Sequence, residues 1–128
     1  MQEVLRISIR EEEDILIARR KVRQELEAMG FRRVDRTRII TAVSELTRNI
    51  VQHAGEGELI ARRDAWGIEI ICQDQGPGMP DVAKALEEGC STAGTLGMGL
   101  IGAKRLMDHF KIETGDQGTK VTIYKRLR

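Results

Sequence analysis

Leu5, Ile7 and Ile9 alternate with Val4, Arg6 and Ser8 at the start of the chain. A period of two predicts a strand with Leu5, Ile7 and Ile9 on its buried face. The period then lengthens: Ile15, Ala18, Val22, Leu26 and Met29 recur at steps of three and four, which predicts an amphipathic helix. The acids from Glu11 to Asp14 suit its N-terminal dipole, and Gly30 stands just past its end. Asp35 is placed to cap a second helix with the stripe Ile39, Val43, Leu46, Ile50, which must stop by Gly55. Residues 58–63 and 67–73 read as an antiparallel pair around a turn at 64–67, with Ile68, Ile70 and Cys72 on one face. A short helix over 81–88, a longer one over 99–110, and closing strands at 111–114 and 120–127 around a turn at 115–118 complete the pattern. Together they predict one domain over residues 1–128, an α/β two-layer sandwich whose mixed, largely antiparallel sheet is covered on one face by helices.

Composition narrows the partners. Lys+Arg 21 against Asp+Glu 20 leaves a formal charge of +1, and aromatic residues are only 3% of the chain. The positive field and the stacking platforms that nucleic acid requires are therefore both missing. No apolar run approaches the roughly 20 residues that span a bilayer, so no membrane is expected either. The N-terminus carries acids where a signal peptide would be apolar, which points to a cytoplasmic protein. Cys72 and Cys90 lie far apart with no CxxC, which disfavours zinc and predicts two reduced thiols.

Seven of the thirteen glycines fall between Gly76 and Gly102, a window that must hold tight turns or close backbone approach. Four segments carry candidate chemistry. Glu45 and Asn49 stand four apart on the second helix, within about 40° of each other and at the edge of the apolar stripe. A carboxylate there can act as a general base and an amide oxygen as a hard ligand for magnesium, while a solvated polar pair fits the same spacing. DQGPGMP, residues 74–80, puts Asp74 at a strand end before Gly76 and Gly78. Such a carboxylate accepts an exocyclic amine such as that of adenine, or simply closes an Asx turn. STAGTLGMGLIGAKRLMD, residues 91–108, runs glycine-rich into a helix, where free N–H groups and the dipole favour phosphate. It is neither a Rossmann fingerprint nor a P-loop, since no strand leads into it and GxxxxGK[ST] is missing. Gly118 and Thr119 open the last strand, where a hydroxyl can reach a pocket floor.

The order of these segments is itself informative. SELTRNIVQHA resembles the N box, DQGPGMP the G1 box, TLGMGLIG the G2 box and GTKVTI the threonine-bearing final strand of the Bergerat (GHKL) nucleotide-binding fold. Gyrase-type ATPases, histidine kinases, the MutL proteins and a family of heat-shock chaperones share that fold. Within it, RIITAVSELTRNI and STAGTLGMGLIGAKRLMD are similar to the short serine kinases of bacterial anti-sigma pathways, the stressosome switch kinases.

The resemblance implies ATP and Mg²⁺ as cofactors. Asn49 would bind Mg²⁺, Glu45 would be the base on the incoming serine hydroxyl, and Asp74 would hold the adenine amino group. Gly76 and Gly78 would shape the adenine pocket, Thr119 would support the base, and Gly97, Met98, Gly99 and Leu100 would wrap the phosphates. The implied substrates are STAS-domain scaffold or antagonist proteins, and the implied target of the released kinase is a PP2C-type phosphatase. The alternative is an ATP-gated anti-sigma-factor kinase or binding module that sequesters a sigma factor. Kinases of that kind carry an arginine just before the G2 glycines, where this chain has Gly94, Thr95 and Leu96.

Other residues are expected to serve the fold or a partner. Residues 89–98 would form a lid that moves without nucleotide. His109 reads as a helix-end residue, and His53 as an extension of the polar edge beside Asn49. Lys104, Arg105 and the arginines at 32, 33, 36 and 38 are candidates for partner contact, the last four around a single acid, Asp35.

Overall fold

The first alternating run forms β1, Gln2–Ile9, in the computed structural model, which describes residues 1–78 and 94–128. Ile7 and Ile9 are buried, but Leu5 is only half-buried, because a register shift between Glu3 and Leu5 turns the strand there. Helix α1, Glu12–Met29, starts where a capping box pairs Glu11 with Asp14 and stops at Gly30, whose φ of 85° only glycine adopts freely. Its expected stripe is buried from Ile15 to Leu26.

Helix α2, Arg33–Asn49, buries Ile39, Val43 and Leu46, and Ile50 follows them into the core. Asp35 does not cap it. The cap position is Arg32, and Asp35 lies in the first turn, fully buried, with Oδ2 3.0 Å from Arg32 Nη2 and Oδ1 3.9 Å from the Nζ of Lys125. Lys125 is itself 5% exposed, so each buried charge needs the other more than the helix needs a cap. Past Asn49 the helix widens to π geometry over Ile50–Ala54 and closes on Gly55.

The remaining elements are β2 (Gly57–Arg63), β3 (Gly67–Asp74), α3 (Gly94–Leu106), β4 (His109–Gly115) and β5 (Gly118–Arg126). The helix expected over 99–110 therefore starts and ends earlier, and His109 and Phe110 belong to a strand. The cause is Asp108, whose N–H donates to the Tyr124 carbonyl at 3.0 Å while its carboxylate accepts Arg126 N–H at 2.7 Å and Arg128 Nη2 at 2.9 Å. Burial pushes the Asp108 carboxyl up, but the bonds from Arg128 and Arg126 and the nearby Lys125 outweigh it and hold it below its ordinary range. The short helix expected over 81–88, Cys90 and the first half of the expected lid, residues 89–93, lie outside the described residues, while residues 94–98 begin α3.

The sheet order is β1-β2-β3-β5-β4, and the sheet expected to be largely antiparallel is antiparallel in every neighbouring pair among the described residues, with the helices on one face as expected of the α/β sandwich. Two antiparallel helices between β1 and β2 return the chain to the end it left, hairpins join β2 to β3 and β4 to β5, and the connection from β3 to β4 carries α3 and skips the place that β5 fills. The helices pack on one face, where Ile7, Leu59, Ile70, Cys72 and Ile123 meet Val22, Leu26, Ile39 and Leu100 in one core. Burial raises the Cys72 thiol, with Asp74 adding to it, to about 12, so it stays protonated as core filler. Among the described residues no helix is long and apolar enough to cross a membrane.

Candidate functional site

Antiparallel register brings one end of every element together: the close of α2, the end of β3, the β4–β5 turn and the start of α3. Each of the four sequence segments delivers its polar residues to this end. Glu45 sits on α2 with its side chain one-third exposed, and its Oε1 accepts from Arg48 Nη1 at 3.2 Å. A Cβ built on Gly99 would collide with the other carboxylate oxygen and lie 3.2 Å from Glu45 Cδ, so glycine lets α3 pass directly over the carboxylate. Glu45 and Gly99 are thus adjacent in space although 54 positions apart in the chain.

Asn49 is one turn further along and 9% exposed, and its amide Nδ2 is buried with no hydrogen-bond partner among the described residues. Leaving such a group unpaired costs about 1–3 kcal/mol, which a ligand at the cleft edge would recover. No group of three or more His, Cys, Asp or Glu that could hold a metal occurs among the described residues. The unpaired Nδ2 is a donor and suits an acceptor such as a phosphate oxygen, whereas the Oδ1 of the same amide is the atom of a type that can ligate a hard cation such as magnesium.

Asp74 closes β3 opposite Thr119, and its Oδ1 accepts the N–H groups of Gly76 at 2.9 Å and Thr119 at 3.3 Å. Both bonds fall on one oxygen, which fixes the carboxylate and leaves Oδ2 to accept from a ligand. The glycines around it are needed for closeness. A Cβ on Gly76 would come 2.7 Å from that of Ala54 in the π segment, and Gly78, at φ 81°, backs onto the carbonyl of Gly115. Gly118, at φ 137°, lies against the Asp74 carbonyl. Gly118→Ala should therefore lower the melting temperature by several degrees, since the strained φ and the collision together cost more than about 1 kcal/mol. Calorimetry showing an unchanged transition would contradict this.

Thr119 is 5% exposed, and its hydroxyl shares a 2.8 Å hydrogen bond with that of Thr114 on β4. Sequence reasoning passed over Thr114, although its place one residue before the 115–118 turn puts it opposite Thr119. It also missed Arg48, whose spacing of three from Glu45 was the available signal. An open depression of about 960 Å³ at this end is lined by Gln73, Asp74, Gly118 and Thr119 among others. Glu45, Asn49 and Gly99 do not line it.

Two expectations about the phosphate-wrapping segment change. Gly97 through Leu100 lie within α3, so the N–H groups left for a ligand are those of its first turn, from Gly94 to Gly97. Leu100 is fully buried in the core, which limits its part in any contact to its backbone. Lys104 and Arg105 are exposed on the last turn of the same helix, away from this end.

Comparison with known proteins places the fold in a family. A family model described as the histidine kinase-like ATPase domain matches residues 10–125. The chain is 46% identical over 127 residues to the serine/threonine-protein kinase RsbT of Bacillus subtilis, covering 95% of this chain and 96% of that protein. Two solved structures share its fold. The RsbU and RsbW domains of a Mycobacterium tuberculosis protein align with a TM-score of 0.69 at 20% identity, over 97% of this chain and 33% of that one. A chain of the SiaB–SiaC complex of Pseudomonas aeruginosa aligns with a TM-score of 0.70 at 10% identity, over 98% and 91% of the two chains.

Proposed function

The chain belongs to the histidine kinase-like ATPase domain family and, within it, to the RsbT-type serine/threonine-protein kinases, and from that premise we propose that it transfers the γ-phosphoryl group of ATP to a serine of a STAS-domain partner protein. The partner would be a scaffold or antagonist of a stressosome-type complex in the cytoplasm. The observation that carries this reading is the position of Glu45, tethered by Arg48 and covered by Gly99, one turn before the orphaned amide of Asn49.

Each residue then has a physical task. Asp74 accepts the adenine amino group through Oδ2, while its Oδ1 stays on the two backbone N–H groups that hold it. Gly76 and Gly78 let the nucleotide lie against backbone, and Thr119, backed by Thr114, supplies a fixed hydroxyl beside the base. The first-turn N–H groups of α3 donate to phosphate oxygens. Glu45 takes the proton of the serine hydroxyl as its oxygen bonds to the γ-phosphorus and the bond to ADP breaks. Asn49 would hold Mg²⁺, which when bound neutralises charge on the phosphates. Most of the rate enhancement in such chemistry comes from positioning and charge stabilisation, and this end of the fold provides both.

The second half of the reading is a switch. Once its partner is phosphorylated and releases it, the chain binds and activates a PP2C-type phosphatase. The test of the kinase step is transfer of labelled phosphate from Mg-ATP to the STAS-domain protein encoded near this gene. Label on serine is the expected result. A chain that binds ATP in the same tube and transfers nothing would overturn the kinase reading and leave an ATP-gated binding switch.

A further inference from the structure

The opposite end of the sheet has a surface that the nucleotide chemistry does not use. Three large apolar side chains are exposed there, Met1 at 46%, Val34 at 56% and Trp66 at 73%. Their common location follows from the register: Gln2 pairs with Arg63 beside the Trp66 turn, Leu127 N–H donates to the Trp66 carbonyl at 2.8 Å, and Asp35 ties the first turn of α2 to Lys125.

Trp66 is the chain's only tryptophan, and its turn is rigidly built. Asp64 Oδ1 accepts the N–H groups of Trp66 at 2.9 Å and Gly67 at 3.1 Å, and Asp64 N–H donates to the Gly67 carbonyl at 3.2 Å. An indole held out on a fixed turn loses little conformational freedom on docking, and Trp and Arg dominate the energetics of protein interfaces.

The surroundings are basic. Residues 32–38 carry four arginines against one aspartate, and residues 124–128 carry Lys125, Arg126 and Arg128 with no acid. That one aspartate is buried and paired, whereas the exposed Arg33 and Arg126 side chains form no ion pair among the described residues. The phosphoacceptor must bring its serine to Glu45, which lies twelve residues, about 18 Å, along α2 from Arg33 and toward the other end of the sheet.

We propose that this end is a docking surface for a second protein partner, one whose acidic rim surrounds an apolar recess that takes the Trp66 indole, and that this partner is not the phosphoacceptor. The proposal rests on the reading that the released kinase has a non-substrate target. The chain labelled with fluorotryptophan gives a single fluorine resonance, since Trp66 is its one tryptophan, and the probe is a purified PP2C-type phosphatase, the partner class of the proposed function. Saturating phosphatase should shift or broaden that resonance. Trp66→Ala and Arg33→Glu should each weaken calorimetric binding by about tenfold or more, yet keep serine phosphorylation within about twofold, which also reports an intact fold. Calorimetric binding with an unmoved resonance and unchanged affinity in both variants overturns the docking surface and leaves phosphatase activation standing. Absence of binding by the unaltered chain overturns both together.

Discussion

Glu45→Gln is expected to slow phosphoryl transfer to the serine partner by about 100-fold or more, with ATP affinity within about threefold of the unaltered chain. The substitution keeps the shape that α3 packs over at Gly99 and a carbonyl oxygen for Arg48, so the fold and the phosphate-facing turn should persist. What it removes is the group that accepts the serine proton. Glu45→Ala should lose transfer to a similar degree, and it opens space under Gly99 as well. Single-turnover transfer measured beside equilibrium ATP binding separates the two steps. Full-rate transfer by the glutamine variant would remove Glu45 as the base.

The second large effect is at the other side of the cleft. Asp74→Asn should weaken ATP binding by about 10- to 100-fold, because a charge-assisted hydrogen bond contributes about 1.5–3 kcal/mol. The structure makes this a clean test. The amide oxygen of asparagine can stay on the Gly76 and Thr119 N–H groups, which directs its NH₂ toward the position of the adenine amine. Two donors then face each other where a donor met an acceptor. The melting temperature of the ligand-free chain should barely move, and titration with an ATP analogue reads the affinity. Unchanged ATP affinity would place the adenine elsewhere. The same variant retains the Trp66 surface, so it should still bind the phosphatase, which distinguishes loss of nucleotide from loss of the docking end.

Separating the two ends would give the proposed switch a physical basis. The candidate chemical residues gather where α2 closes and α3 begins, and the arginine-rich, tryptophan-bearing surface lies where α2 begins and β5 ends. A buried ionic cluster braces that second end, since Lys125 lies 3.9 Å from Asp35 and 3.8 Å from Asp108. Trp66 and Arg33 are therefore presented from a rigid base. Pre-organisation of this kind favours affinity by lowering the ordering cost of binding.

Much of this was determined by the sequence alone. Alternation placed β1 and the β2–β3 pair, and steps of three and four placed α1 and α2, because local backbone geometry puts those residues on one face whatever the rest of the chain does. The four candidate segments were legible as motifs for the same reason, since each is a short run of glycines and polar groups. Tertiary structure alone decided what depends on residues far apart in the chain. It moved Asp35 from a cap to a buried ion pair with Lys125, ended α3 at Leu106 through bonds from Asp108 to β5, and sent Leu100 into the core. It also joined Thr114 to Thr119 and set Gly99 on Glu45. These pairings are products of register and packing, and a side chain's partner across a sheet or between helices is fixed only when the whole core closes.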